Sequence, residues 1–489
     1  MKKLRELFSD TLIYGISSVF ARFINYLLVP LYTDVFNPAE YGIVGLVYSA
    51  IAMLNVLFTM GMESSYLRYA KDRERARSYF KTLQLFLLGI SLILVLIILL
   101  IKPVFASILG LGEGNSIYLM MLGILLFDTL SIISFAELRL VRKSVLFAVL
   151  KTGNIGISLG LNFYLILGLG FGIEAIFISN LAASAITALV VWGITSPMLI
   201  GKWDRAILKK ALVFGLPFIP AGIGYVINEM LDRFFLNGMS SESLNTIYGA
   251  GFTAEYIVGV YNACYKLAVF MLLLVQMFRM AWQPFFMRHS DDPAAPKLYA
   301  HTFTFFNGSA AIIFLCISLF LEQIVSIKIP VLNAFLIGRE YWMGLSVVPF
   351  LLMAYWFQGW YVNFSAGIFI SEKTKKLAQI TLIGAGVTIL INLILVPRMG
   401  MMGSAVATVT SYTVMAFYIY HYSQKAFQVP YDILSGISVI VIASGTVFLK
   451  DFLSIPFFSD ITGTMLLFVS ALLLIGAISY ISYLKVEKS

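Results

Sequence analysis

About fourteen apolar stretches of roughly 19–28 residues can be laid end to end along this chain. Each is long enough to cross a hydrocarbon core of about 30 Å. Inside a bilayer only helices and closed barrels satisfy their own backbone, so the choice of fold is narrow. The runs are continuously apolar rather than short and alternating, which argues against a barrel. They fall near 10–34, 40–62, 80–101, 116–137, 144–168, 172–193, 211–236, 254–281, 301–326, 343–369, 378–397, 402–422, 431–449 and 461–484. The 489 residues are 60% apolar and 12% charged, whereas a soluble domain is about half apolar and a quarter charged. An all-α polytopic membrane protein is expected.

Charge gives the orientation. If the first hairpin starts inside, about 25 of the 34 Lys and Arg lie in inner segments and only about five outside. Arg68, Lys71, Arg73, Arg75, Arg77 and Lys81 follow the second span, and Lys202, Arg205, Lys209 and Lys210 follow the sixth. The outer connections 33–39 and 238–253 hold no Lys or Arg. Both termini are therefore expected in the cytoplasm and the protein in the cytoplasmic (inner) membrane. The net charge of +9 would suggest nucleic acid in a soluble chain. Here loops facing anionic headgroups account for it, and no nucleic-acid partner is expected. Met1–Arg5 looks like the start of a signal peptide. The stretch after it is too long, carries Arg22 and lacks a small-residue cleavage site, so it reads as an uncleaved first span.

An internal repeat organises the spans. Ala39-Glu40-Tyr41-Gly42-Ile43-Val44-Gly45 opens the second span, and Ala254-Glu255-Tyr256-Ile257-Val258-Gly259 opens the eighth. Leu12-Ile13-Tyr14-Gly15 parallels Leu212-Val213-Phe214-Gly215, and the segment from Leu161-Asn162 to Ala175 parallels that from Ile391-Asn392 to Ala405. Three matches in one order mark a parallel repeat of six spans. Two pseudo-symmetric six-helix lobes are expected, 1–200 and 201–425, with 426–489 as an appended two-helix hairpin.

The cations left inside the membrane need a reason. Arg22 lies mid-way along the first span on a stripe with Thr11, Gly15, Ser18 and Asn25, and Lys266 lies as deep in the eighth with Glu255, Gly259 and Asn262. Each half thus supplies one deep cation, which reads either as a basic cavity for an anionic substrate or as a structural pair with a carboxylate such as Asp128. Lys151 could snorkel to the headgroups. Asp232 and Arg233 form a local ion pair or an outer gate. Pro217 and Pro220 remove helix hydrogen bonds and should bend the seventh span, as a moving part or as a static kink. Gly153, Gly156 and Gly160, with Ala182, Ala183 and Ser184, suit close helix packing. Phe80, Tyr341, Trp342 and Tyr431 fit an interfacial aromatic belt, and Trp356 and Trp360 fit either that belt or a lumen. No metalloprotease, phosphate-loop or nucleophile-elbow motif is present. Cys264 and Cys316 lie in spans, and His289, His301 and His421 are scattered, so no metal and no cofactor is expected.

At this point the chain resembles the polysaccharide (O-antigen-like) flippase branch of the multidrug/oligosaccharidyl-lipid/polysaccharide exporter superfamily. The resemblance is carried by Tyr14-Gly15 through Pro30-Leu31-Tyr32, Gly61-Met62-Glu63-Ser64-Ser65-Tyr66-Leu67-Arg68-Tyr69, Gly215-Leu216-Pro217-Phe218-Ile219-Pro220 with Leu231-Asp232-Arg233-Phe234, and Ile391 to Pro397 with Gly400 to Ala405. It implies two lobes around a cavity that opens alternately to each side. The implied cargo is an oligosaccharide on a polyprenyl pyrophosphate. Arg22 and Lys266 would meet the pyrophosphate and Asn25, Asn55 and Asn262 the sugars, while Pro217, Pro220, Asp232, Arg233 and Arg68 would bend or gate. The protein is then not an enzyme; it acts as a monomer, in functional association with a polysaccharide polymerase and glycosyltransferases. Two rivals remain: an ion-coupled multidrug or metabolite exporter of the same superfamily, and a membrane glycosyltransferase or polymerase. The short, nearly chargeless outer loops speak against the second.

Overall fold

A computed structural model describes residues 28–72, 75–112, 115–330, 332–453 and 460–488. Among these, twelve helices are long and apolar enough to cross a membrane, and a bent pair makes a thirteenth. The first expected span lies largely outside the described residues; its end is the helix Leu28–Val35. The architecture is all-α apart from a two-residue antiparallel ladder, β1 (Lys328–Ile329) with β2 (Ala334–Phe335). Contacts divide the chain into two compact units: residues 35–259, and 28–34 with 260–488.

The first unit opens with α1 (Pro38–Thr59), whose start is written in its sequence. Asn37 Oδ1 accepts from the Glu40 amide at 3.0 Å, and Glu40 Oε2 accepts from the Asn37 amide at 3.0 Å, with Pro38 at the first helical position. The helix stops where Met60 and Gly61 turn left-handed, at φ 47° and 66°. Then come α2 (Met62–Tyr69), α3 (Ala76–Leu100), α4 (Ile117–Leu140), α5 (Ser144–Phe163), α6 (Glu174–Thr195), α7 (Arg205–Gly215) and α8 (Phe218–Asn237). The core where α2, α3, α4 and α7 meet is built on Met62, Tyr66, Phe80, Leu83, Ile133 and Ala211. Several polar groups there find partners inside the protein. The Tyr66 hydroxyl donates to Glu137 Oε2 at 2.7 Å, while Gln84 Nε2 and Trp192 Nε1 both donate to the Leu130 carbonyl.

The repeated motifs meet within this unit. A Cβ built on Gly42 would overlap the Glu255 carbonyl, and one on Gly259 would overlap the Pro38 carbonyl. Backbone therefore lies on backbone at this crossing, which only glycine permits. Helices α1 and α8 run antiparallel beside each other: Val56 lies against Gly222, and Ser49 against Met230 further along.

The second unit begins within α9 (Ala254–His289) and continues through α10 (Ala295–Leu319), α11 (Val348–Phe364), α12 (Lys375–Met399), α13 (Met401–Ala426), α14 (Ile433–Leu453) and α15 (Ile461–Lys488). At its centre Trp356 and Trp360, one turn apart on α11, both point their indole N–H at Asn307 Oδ1, at 2.9 and 2.7 Å. These two tryptophans are buried and so face neither headgroups nor lumen. The expected belt fails in the same way at Phe80, Tyr341 and Tyr431, which are all buried. Tyr431 packs against Phe303 and Phe364 instead, because stacking inside protein competes with the interface for the same rings. The appended hairpin lies on α10: Thr304 and Ser482 hydroxyls meet at 3.2 Å, and Lys297 Nζ donates to the Glu487 carbonyl at 3.0 Å.

The glycines of α5 also depart from expectation. A Cβ at Gly153, Gly156 or Gly160 would meet no described atom within 4 Å, so among the described residues nothing packs on this face. Of the neighbouring small residues on α6, Ala183 and Ser184 are buried.

Candidate functional site

In the second unit α9 carries Asn262 and Lys266 one turn apart on one face, with Asn262 buried and Lys266 half-buried. Lys266 stands about 18 Å along the helix from Ala254, at 1.5 Å per residue. Beside it in sequence, the Tyr265 hydroxyl accepts from that of Tyr355 at 2.6 Å, and Gln358 Nε2 donates to the Tyr412 hydroxyl at 3.1 Å. The Tyr355 and Tyr412 rings lie 6.3 Å apart. The first bond ties α9 to α11 and the second ties α11 to α13, so the helix that presents Lys266 is braced through α11. Sequence reasoning passed over them, since a tyrosine inside an apolar span gives no period of its own. Arg22 and Asn25, the partners expected from the other half, lie outside the described residues.

The remaining expected residues fall in the first unit and are not gathered into one place. Asn55 is exposed near the end of α1. Asp232 and Arg233 are buried on α8, where Arg233 Nη1 donates to Asp232 Oδ1 and to the Glu229 carbonyl, both at 2.6 Å. They form an ion pair inside the protein rather than at its edge. Arg68 is exposed at the end of α2, its guanidinium 4.5 Å from the centre of the Phe214 ring.

Pro217 and Pro220 stand at the break between α7 and α8, which are bent by 40°. Pro217 caps α8, and Pro220 is its third residue. Their missing N–H groups thus fall where a helix start has no intrahelical acceptor to offer, and the break costs no hydrogen bond beyond an ordinary helix end. The expectation that the two prolines strip bonds from a continuous helix is corrected accordingly.

Two intramembrane groups of this unit gain context. Asp128, on α4, is exposed beside the Ser184 hydroxyl, which reaches Asn180 Oδ1 at 3.5 Å. Asn180 Nδ2 in turn donates to the Tyr48 hydroxyl at 2.8 Å. Lys151 Nζ lies 4.3 Å from the centre of the Phe135 ring, a cation held on an aromatic face. Among the described residues no group of three or more His, Cys, Asp or Glu could hold a metal.

A chain of this kind, nearly all helix among its described residues and with long apolar spans, has the fold of a multi-pass membrane protein. Solved structures agree. A lipid II flippase, MurJ, in an inward closed conformation superposes with a TM-score of 0.66 over 96% of this chain and 99% of its own, at 15% identity. An inward-facing multidrug resistance MATE family transporter of the MOP superfamily gives 0.61 over 82% and 93%, at 19% identity. A MOP superfamily transporter from Pyrococcus furiosus, described by the reversed polarity of its binding pocket, gives 0.57 over 85% and 95%, at 16% identity. These identities establish the shared fold. No curated protein matches the sequence. The family model described as "polysaccharide biosynthesis protein" matches residues 35–321, and the chain belongs to that family.

Proposed function

We propose that this protein is a flippase that carries a polyprenyl-pyrophosphate-linked oligosaccharide from the inner to the outer leaflet by alternating access. The observation that carries the reading is Lys266: a half-buried ammonium at mid-span, with an amide one turn away, in a chain of a polysaccharide biosynthesis family. A pyrophosphate drawn through a low-dielectric region needs an opposing charge, and a cation kept there at a cost of at least about 2.5–3.5 kcal/mol needs a use. Lys266 and Arg22 receive the pyrophosphate; Asn25, Asn55 and Asn262 contact the sugars. The bend at Pro217 and Pro220 is the moving part, with Asp232, Arg233 and Arg68 as gate residues. The duplicated lobes are 1–200 and 201–425, the hairpin 426–489 is an addition, and both termini are cytoplasmic. Such a protein works as a monomeric transporter rather than an enzyme, alongside a polymerase and glycosyltransferases.

The test is export. Lys266→Ala and Arg22→Ala should each cut surface polymer at least a hundredfold at unchanged protein level, with Lys266→Arg retaining most of it. Wild-type export by the double alanine variant refutes the reading. One observation favours the ion-coupled exporter instead: the accessible mid-span carboxylate Asp128 with its Ser184 and Asn180 neighbours. Under that reading Asp128→Asn abolishes drug efflux, while Lys266→Ala leaves it intact.

A further inference from the structure

The end of α7 carries a feature that Lys266 does not touch. Arg68 and Tyr69 of α2 lie beside Lys209, Lys210 and Phe214 of α7. The Arg68 guanidinium stands 4.5 Å from the Phe214 ring centre and 5.6 Å from that of Tyr69, and Lys210 Nζ stands 4.4 Å from the Tyr69 ring centre. The two rings meet edge to face at 5.6 Å, so both cations rest on one continuous aromatic surface. An open cavity of about 430 Å³ is lined by Tyr69, Ala206, Lys209, Lys210, Val213 and Phe214.

Three observations separate this cleft from a solvated run of charge. Among the described residues no carboxylate pairs with Arg68, Lys209 or Lys210. A cation seated on a ring keeps its outer donors free for an anion. The walls are also fixed to each other: Ser65 Oγ donates to the Ala211 carbonyl at 2.9 Å, and a Cβ at Gly61 would stand 2.6 Å from the Gly215 carbonyl oxygen. Finally, an apolar flank continues from the cations toward the bend, with Val213 70%, Leu216 44% and Phe218 45% exposed. Clustered charge next to an exposed apolar strip is complementary to a molecule that is anionic at one end and hydrocarbon at the other.

We propose that this cleft binds the phosphate of a membrane lipid. The phosphate sits among Arg68, Lys209 and Lys210, and the first segment of its chain lies along Val213, Leu216 and Phe218. The cations and rings of the site come from α2 and α7, its apolar flank runs into the start of α8, and it stands whether or not the transport reading holds. Both a resident anionic phospholipid and a polyprenyl phosphate present this chemistry.

The experiment uses the full-length protein in phosphatidylcholine nanodiscs, doped with phosphatidylglycerol in one arm and a polyprenyl diphosphate in the other. Retained lipid is counted by native mass spectrometry. Retention of a doped lipid over phosphatidylcholine is expected, and the arm that shows it names the source. It should fall about a hundredfold in Arg68→Gln/Lys209→Gln/Lys210→Gln, at about fivefold per cation near a membrane surface. The triple Arg142→Gln/Lys143→Gln/Lys202→Gln, which neutralises three other exposed cations, should leave it unchanged. Equal retention in the two triples, or no preference for either doped lipid, overturns the proposal. A photoreactive residue in place of Val213 guards against misfolding: it should cross-link the doped lipid several-fold more than one in place of Val145, which is 78% exposed. Equal cross-linking at the two positions also overturns it.

Discussion

At the scale of single residues, Asn307 has more influence than its size suggests. One amide oxygen accepts from two buried indoles of α11, Trp356 and Trp360. Removing it leaves two N–H donors without water or partner, at about 1–3 kcal/mol each. Asn307→Leu should therefore lower stability by about 2–6 kcal/mol, read as a thermal unfolding shift of the purified protein. Asn307→Asp, which keeps the oxygen, should lose less of it. Nothing in the sequence pointed to this contact. Asn307 and Trp356 are 49 positions apart, and an Asn within an apolar run does not announce its acceptor. The tyrosine hydroxyls beside Lys266 were hidden for the same reason. Lys266 itself was legible, since a charge among apolar neighbours stands out without any structure.

At the scale of elements, the spans and the break at Pro217 could be read directly, one from hydropathy and the other from a residue that cannot continue a helix. What could not be read is which way each span faces. Helices that are apolar all round carry no stripe to orient them. That is why Phe80, Tyr341 and Tyr431 are interior rather than interfacial, and why the α5 glycines meet nothing among the described residues. The repeat was visible as similar words, but the contact between its copies was not. Gly42 and Gly259 hold that crossing by having no side chain. Gly259→Ala and Gly42→Ala should each destabilise by about 1–3 kcal/mol through overpacking. The pair should cost less than the sum, because one separation of the helices admits both methyls. Thermal unfolding of the three variants checks this, and full additivity would mean the glycines act separately.

At the scale of the whole molecule, orientation and the hairpin are open to direct measurement. Cys264 is buried and Cys316 exposed, so Cys316→Ser gives a quiet background for labelling. Single cysteines at Asp34 and Ser241 should react with an impermeant maleimide from outside intact cells, and those at Arg77 and Lys143 should not. The reverse pattern inverts the proposed topology. Within the hairpin, Asp432 ties the start of α14 to the end of α15. Burial works to raise its pKa, but the Ser435 hydroxyl and amide and the Lys485 ammonium outweigh that and hold it below the usual carboxylate range. A depressed carboxyl stabilises fully above its unfolded value of about 3.9 and loses that contribution as pH falls through the folded one. Protease resistance of α14 and α15 should accordingly stay flat from about pH 5 upward and drop only below about pH 4. In Asp432→Asn the resistance should be weaker at neutral pH and should not change on acidification.

Helix α5 buries one residue, Asn162, out of twenty. One side of it leans on α4 and α6, where Phe147 meets Phe135 edge to face and Asn154 Nδ2 donates to Thr187 Oγ1 at 3.0 Å, while its glycine side meets no other described atom and changes its surroundings with bilayer thickness. An environment-sensitive dye on its open glycine face would therefore work as a built-in depth gauge. Its colour should track acyl length when the protein is moved between thin and thick bilayers, even where the rest of the molecule stays the same shape.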